Sequence, residues 1–296
     1  MLRNTISVKY KLKNKYNLNY ETFDDKSDNS NVIYIIYNYY IMEFPKIIHQ
    51  IWFQGKNNIP KKYYDNINLL LNNNYIYMLW DNDDILHILS KNNIWWTTYN
   101  NFSYMHQKID YAKYIILYLY GGIYVDIDAK QLKSFDNLLD KYKNYDLIVS
   151  ELNINYTLSY LYCQKDKCVN NGIIFSKPNT EIMKLIIDYI NENYKCNIMS
   201  KLFCILTTTG PIMFSKVIDS YKNKDKIMIL KSEYLEPCIL DSCNITDNTI
   251  IAHHHDGTWY SLITRNIIVI FLDYTYVIIG IILLICLLIY IYWIKN

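Results

Sequence analysis

The stretch MHQKIDYAKYIILYLYGGIYVDID (residues 105–128) constrains the fold more than any other part of the chain. Its first part reads as a helix that Gly121-Gly122 closes, because glycine tolerates the positive φ of a helix C-terminal cap. IYVDID then reads as a strand, an apolar run that takes two aspartates one residue apart. A helix feeding straight into a strand is half of an α/β unit, and the remaining segments must hold the other half.

They supply it. PKIIHQIWF (45–53) and YIYMLW (75–80) read as strands, and DNDDILHILSK (81–91) opens with N-cap residues and reads as a helix. DLIVS (146–150) and GIIFS (172–176) read as strands, TEIMKLIIDYINENY (180–194) as a helix, and KIMIL (226–230) and TIIAH (249–253) as later strands. Interleaved in this way they predict an α/β sheet with parallel character. A hydrophobic content of 51% over 296 residues is ample for its core, and a net charge of +2 without a basic stripe argues against nucleic acid as a partner.

The two ends are of another kind. YTYVIIGIILLICLLIYIYWI (274–294) carries no charge and has no polar face at any helical phase, so it is expected to be a transmembrane helix, with Arg265 and Asp273 marking the water side. Residues 1–41 are polar and Lys/Asn-rich and are expected to be a disordered extension, leaving 42–265 as the folded domain. NVIYIIYNYYIM (31–42) is apolar but too short to span a bilayer. Of seven cysteines, Cys286 falls in the apolar run, whereas Cys163/Cys168 and Cys238/Cys243 are close enough to pair; the reduced state stays open.

Along IYVDID the alternation of a strand puts Ile123, Val125 and Ile127 on one face and Tyr124, Asp126 and Asp128 on the other. That spacing places the two carboxylates about 7 Å apart at the carboxyl end of the strand, the edge where open α/β sheets hold ligands. Two carboxylates with no neighbouring base repel, and a hard divalent cation, Mg²⁺ or Mn²⁺, removes the conflict and can in turn hold a diphosphate.

Asp-x-Asp alone is a weak signal, and its surroundings give it weight. KIDYAKYIILYLYGGIYVDIDA (108–129), with PKIIHQIWFQG (45–55), YIYMLWDNDD (75–84), NNGIIFSKP (170–178), TTGP (208–211) and AHHHDGTW (252–259), resembles in order the DXD sugar-binding glycosyltransferase family of inositol-phosphoceramide mannosyltransferases, outer-chain mannosyltransferases and capsular polysaccharide enzymes. The resemblance spans residues 45–260 and implies a GT-A-like fold, a Rossmann-like mixed sheet flanked by helices, with the C-terminal helix added to it. It further implies transfer of a hexose (mannose, glucose or galactose) from a GDP- or UDP-sugar, with retention of configuration, to a glycolipid or membrane glycan. Asp126, Asp128 and Asp110 would be the catalytic acids, and Asp126, Asp128 and His253 the Mn²⁺ or Mg²⁺ ligands, with His254 next in line. Trp52, Asp110, Lys113, Asp126 and Trp259 would bind the nucleotide sugar, Trp52 by stacking on the base. Lys113 stands where the family has Arg and forfeits a planar, bidentate fork. Asn171 and Gly172 resemble the acceptor-side segment, Thr209-Gly210-Pro211 a helix start near the donor, and His49 a supporting residue.

Two alternatives are distinct in class. A haloacid-dehalogenase-type phosphohydrolase also uses a strand ending in Asp-x-Asp, but Lys130 stands where it would carry Thr or Val. A catalytically silent, membrane-tethered sugar-binding protein would share every motif. The cytosolic or the luminal side of the membrane is equally compatible with the sequence.

Overall fold

A computed structural model describes residues 43–71, 74–154, 156–164, 167–196, 200–239, 242–256, 277 and 279–293. In chain order its elements are β1 (Ile47–Ile51), α1 (Tyr64–Leu71), β2 (Ile76–Trp80), α2 (Asn82–Leu89), α3 (Asn93–Asn100), α4 (Met105–Tyr120), β3 (Gly122–Val125), β4 (Ala129–Gln131) and α5 (Asp136–Lys141). There follow β5 (Leu147–Ser150), α6 (Tyr156–Cys163), β6 (Ile173–Ser176), α7 (Glu181–Asn193), α8 (Lys201–Thr208), α9 (Pro211–Ser220), β7 (Ile227–Leu230), α10 (Ser232–Leu235), β8 (Cys238–Ile239), β9 (Ser242–Cys243) and β10 (Ile251–His253). A final apolar helix, α11, covers Ile279–Trp293.

Six strands form one mixed sheet in the order β2-β1-β3-β6-β5-β7. The β1/β2, β1/β3 and β5/β7 pairs are parallel, whereas β6 runs antiparallel to both β3 and β5. The central strands β3, β5 and β6 are buried on both faces, with apolar clusters on either side of the sheet. Alternation sorts the side chains: Tyr124, Leu147, Val149 and Ile174 join the cluster under α4, α7 and α9, while Ile48, Ile123, Val125, Ile148 and Phe175 join the other cluster with Phe135 and Leu138.

The local signals act as the sequence suggests at two places. Asp81 caps α2, accepting hydrogen bonds from the amides of Asp83 and Asp84, while the Asp84 carboxylate accepts one from the amide of Asp81. After α4 the chain turns at Gly121 (φ 61°) and Gly122 (φ 97°), both in the left-handed region. A Cβ on Gly122 would lie 2.5 Å from the Ile47 carbonyl oxygen, so only glycine lets β3 start this close to β1. His49, in register with Tyr124, fastens the corner: its Nε2–H donates to the Gly121 carbonyl at 2.9 Å, and its Nδ1 accepts from the Trp80 indole at 3.1 Å.

Three expectations change. TIIAH does not join the main sheet: β10 pairs antiparallel with β4 as a separate two-stranded ribbon. IYVDID is not a strand throughout, since β3 ends at Val125 and residues 126–129 form a turn closed by Ala129 N–H to the Asp126 carbonyl at 3.1 Å. The six cysteines outside α11 form three pairs, Cys163–Cys168, Cys238–Cys243 and the unforeseen Cys196–Cys204.

The segment 201–220 is apolar and 20 residues long, but it is mostly buried and breaks at Thr209-Gly210 into α8 and α9, as a pair of core helices would. By contrast α11 exposes Val277 just before it and Ile281 to Trp293 along its length, packing no face on the domain. At 1.5 Å per residue it is about 22 Å long, short of a ~30 Å bilayer core by itself. The ends of the expected span lie outside the described residues, as do the 1–41 extension, Arg265, Asp273, Thr258 and Trp259.

Candidate active site

The carboxyl end of β3 meets the amino end of β6, and there the Asp126 amide donates to the Gly172 carbonyl at 2.9 Å. Asp126 and Asp128 occupy the turn that follows, so their convergence comes from the turn and not from strand alternation. The β10/β4 ribbon then delivers the third group: His253 lies opposite Ala129, one residue past Asp128. His253 Nε2 is 3.2 Å from Asp128 Oδ1 and 3.7 Å from Asp126 Oδ2, and one donor atom from each residue falls within 4.8 Å of the others. Asp126 keeps 31% of its side chain exposed and Asp128 15%, so the pair opens to solvent with the imidazole beneath.

Each of the three is held from behind. Tyr124, buried and with its phenol pushed well above its ordinary range by burial and then by Asp126, donates its hydroxyl to Asp126 Oδ1 at 2.8 Å. Asp128 Oδ2 accepts the Asp256 amide at 2.8 Å. His253 Nδ1 faces the buried carboxylate of Glu236 at 3.0 and 3.2 Å. Asp256 in turn is pinned by the Tyr63 hydroxyl at 2.6 Å and by Lys62.

Electrostatics divide the carboxylates. Burial raises the Asp126 pKa, with Lys113 and His253 pulling against it. Burial presses on Asp128 as well, yet His253 and the Asp256 amide outweigh it and hold that carboxyl well below its ordinary value. Glu236 is lowered to about 2 in the same way, as His253 and His255 overcome burial. For His253 burial favours the neutral ring, but Glu236 and Asp128 raise its pKa well above 6.5.

Two carboxylates and one imidazole on a shared opening are a donor set that fits a divalent cation, Mn²⁺ better than Mg²⁺ because of the nitrogen ligand. The backbone agrees with that fit. A Cβ at Gly172 would come 2.4 Å from His253 Cε1 and 2.7 Å from Asp126 Oδ2, so this position must lack a side chain for the three donors to converge.

The residues expected on the donor side form a second polar knot. Lys113 Nζ lies 2.7 Å from Asp110 Oδ1, as the i,i+3 spacing on α4 requires. Asp110 also accepts from Asn171 Nδ2 at 3.2 Å and from Thr209 Oγ1 at 3.0 Å, and the Tyr114 hydroxyl bonds the Thr209 carbonyl at 2.8 Å. Lys113 is only 2% exposed and sits 5.1 Å from the Tyr124 ring centre. Its ammonium thus reaches Asp110 and the field of Asp126 but not the opening. Trp52 continues from the end of β1, half-buried, with its indole N–H on the Asn58 carbonyl at 3.2 Å and its ring 6.0 Å from that of Tyr63.

The histidine run is corrected in one detail. His254 turns away, its Nδ1 3.7 Å from Cys243 Sγ, while His255 returns beside His253 with ring centres 3.9 Å apart. Strand alternation does not carry this far, because β10 ends at His253; the chain turns back at His255, whose φ of 51° lies in the left-handed region. Glu236 was missed altogether: it follows a one-turn helix in KSEYLEPC, with no motif to mark it, 17 residues from its partner.

Comparison with known proteins places these residues in context. A "glycosyltransferase sugar-binding region containing DXD motif" matches residues 60–145, which include Asp110, Lys113, Asp126 and Asp128. The chain is 33% identical over 233 residues to an uncharacterized glycosyltransferase, L373, of Acanthamoeba polyphaga mimivirus, covering 73% of this chain and 83% of that protein. It is 33% identical over 190 residues to inositol phosphoceramide mannosyltransferase 3 of Schizosaccharomyces pombe, covering 63% of this chain and 48% of the relative. It is 26% identical over 181 residues to mannosyl phosphorylinositol ceramide synthase CSH1 of Saccharomyces cerevisiae, covering 60% and 43%. The chain thus spans less than half the length of these two mannosyltransferases. A solved structure, the PaToxG glycosyltransferase, superposes with a TM-score of 0.40 and 19% identity over 64% of this chain and 75% of that one.

Proposed function

The chain belongs to the glycosyltransferases that carry a DXD sugar-binding region, and from that premise we propose that it moves a hexose, mannose first among the candidates, from a GDP- or UDP-sugar to a glycolipid acceptor at a membrane surface. Membership in this family leaves the phosphohydrolase alternative without support. The observation that carries the proposal is the convergence of Asp126, Asp128 and His253 on one opening, beside the Asp110–Lys113 knot.

In this reading Asp126, Asp128 and His253 hold a divalent cation, which when bound neutralises the charge that develops on the departing diphosphate. Asp110 orients the sugar hydroxyls, itself fixed by Asn171 and Thr209. Lys113 acts through Asp110, which it pairs at 2.7 Å, and through Asp126, on whose carboxyl it pulls against the upward push of burial, and its own burial supports that role over a direct sugar contact. Trp52, beyond the end of β1 on the same edge of the sheet, offers a ring for the base. Asp126 and Asp128 both serve the cation, and Asp110, held by Lys113, Asn171 and Thr209, keeps acceptor capacity for a sugar hydroxyl; no carboxylate in the site is assigned as a covalent nucleophile, so same-face displacement with retention is the proposed course. The folded unit proposed is 42–265, a GT-A-like domain, with the 274–294 helix as its anchor. The exposed apolar surface of α11 supports the anchor, and three cysteine pairs support an oxidising, luminal side.

The test is a panel of UDP- and GDP-hexoses offered to the full chain in lipid vesicles, with Mn²⁺ or EDTA, with and without inositol phosphoceramide. Mn²⁺-dependent release of nucleoside diphosphate, greatest with GDP-mannose and enhanced by the acceptor, is expected. A folded protein that releases nothing from any sugar nucleotide in Mn²⁺ would refute the proposal. The anomeric proton signal of the product checks retention.

A further inference from the structure

Glu236 lies outside every motif, yet it is one of the most buried charged groups among the described residues, at 1% exposure. A carboxylate removed from water in this way is costly unless its oxygens are bonded. Both are: Oε1 and Oε2 lie 3.0 and 3.2 Å from His253 Nδ1, and Oε2 lies 2.8 Å from His255 Nε2. The segment that carries it is fixed independently. The Glu236 amide bonds the Ser232 carbonyl at 2.7 Å, the Ile250 amide bonds Tyr234 at 2.9 Å, and the Cys238–Cys243 disulfide closes the hairpin that follows. The carboxylate is therefore held in place by α10, β8 and β9, and the imidazole is drawn to it.

We infer that Glu236 is a positioning residue for the cation site: by binding Nδ1–H it leaves His253 Nε2 to face Asp126 and Asp128. The inference rests on the metal-dependent reading above and adds to it a residue that no motif marks. One competitor for Nδ1 lies nearby, Asn170 Nδ2 at 3.4 Å. The Asn170 Oδ1 accepts the amides of Asn171 and Gly172, which fixes the orientation of that amide. Two donors cannot share one hydrogen bond, and the carboxylate at 3.0 Å takes it, because leaving a buried charge unbonded costs more than leaving an amide hydrogen. Outer carboxylates of this kind orient a ligating imidazole and raise its basicity, and losing one lowers metal affinity by about 10–100-fold.

The bland alternative is that Glu236 only stabilises the fold as an ion pair with two histidines. A thermodynamic cycle on Mn²⁺ binding separates the two. The free Mn²⁺ signal in electron paramagnetic resonance gives the Kd of the full chain without any sugar nucleotide, for the wild type, Glu236→Ala, His253→Ala and the double variant. Glu236→Ala is expected to weaken Mn²⁺ about 10–100-fold and to add almost nothing on the His253→Ala background. Glu236→Gln, which keeps the shape and an acceptor oxygen, should fall between and serves if the alanine variant does not fold. A Glu236→Ala or Glu236→Gln protein whose Kd stays within about twofold of wild type, while Asp128→Asn loses binding, overturns this inference alone. A wild type that binds no Mn²⁺ overturns the metal-dependent reading together with it.

Discussion

The six-stranded sheet and the β4/β10 ribbon are built on opposite economies. In the sheet, β3, β5 and β6 are buried at every position, and each side chain is one of many apolar contacts on a face closed by helices. The ribbon has three residues per strand, and one of its register pairs, His253 opposite Ala129, brings the imidazole to the residue next to Asp128. A slip of one position would turn His253 to the other face. The sheet is over-determined by many interchangeable residues, whereas the site hangs on single ones. Damage to the first should show as lost stability, and damage to the second as lost function in a folded protein.

The largest effect expected from that contrast is at Asp128. Asp128→Asn keeps an acceptor for the Asp256 amide but removes the charge proposed to hold the cation, so metal-dependent turnover should fall by about a hundredfold or more, while the lost charge opposite His253 lowers the melting temperature without unfolding the protein. Turnover at saturating Mn²⁺ beside a thermal melt measures both, and a variant that loses stability instead would erase the division between the two regions.

The same small substitution can then be made in each region. At Gly122 an added Cβ meets the Ile47 carbonyl at 2.5 Å in a backbone with φ 97°, so Gly122→Ala should cost stability, on the order of 3 kcal/mol. At Gly172 it meets His253 and Asp126 side chains instead, and Gly172→Ala should weaken Mn²⁺ about tenfold while moving the urea midpoint little. If both glycines answered alike in the unfolding titration and in the Mn²⁺ titration, the contrast would be broken.

The contrast also explains what was legible in the sequence. Apolar runs and capping residues announce β1, β2, β5, β6, β7 and α2, because burial and local hydrogen bonds act within a few residues. The Gly121-Gly122 corner was readable for the same reason. The Asp-x-Asp pair was found as a pair, but its geometry was not: periodicity carried the strand through Asp128, whereas β3 stops at Val125 once its partner β6 begins at Ile173. TIIAH looked like a sheet strand because a short apolar run does not say which neighbour it pairs with. The burial of Lys113 and the pairing of Cys196 with Cys204 depend on how helices pack, which no local pattern records. Glu236 was invisible because its meaning lies entirely in a partner 17 residues away.

The smallest effect expected belongs to His49, which probes the sheet while leaving the ribbon untouched. Burial lowers its pKa from 6.5 to about 4, against the Gly121 carbonyl that favours the charged ring. The Trp80 indole N–H aimed at Nδ1 adds to the resistance, since a second proton there would set two donors against each other. Between pH 6.5 and 4 the unfolded chain therefore binds a proton that the folded one refuses, so stability falls as pH drops through that window. From pH 7 to pH 5 the loss from this one group is about 2 kcal/mol. Urea midpoints at the two pH values, for wild type and His49→Gln, isolate it, because every other titrating group is common to both. The glutamine can still donate to Gly121 and accept from Trp80, so it should be somewhat less stable at pH 7 and lose less on acidification. Equal losses in the two proteins would mean that this ring titrates freely and that the glycine corner is not the rigid end of the sheet that its hydrogen bonds describe.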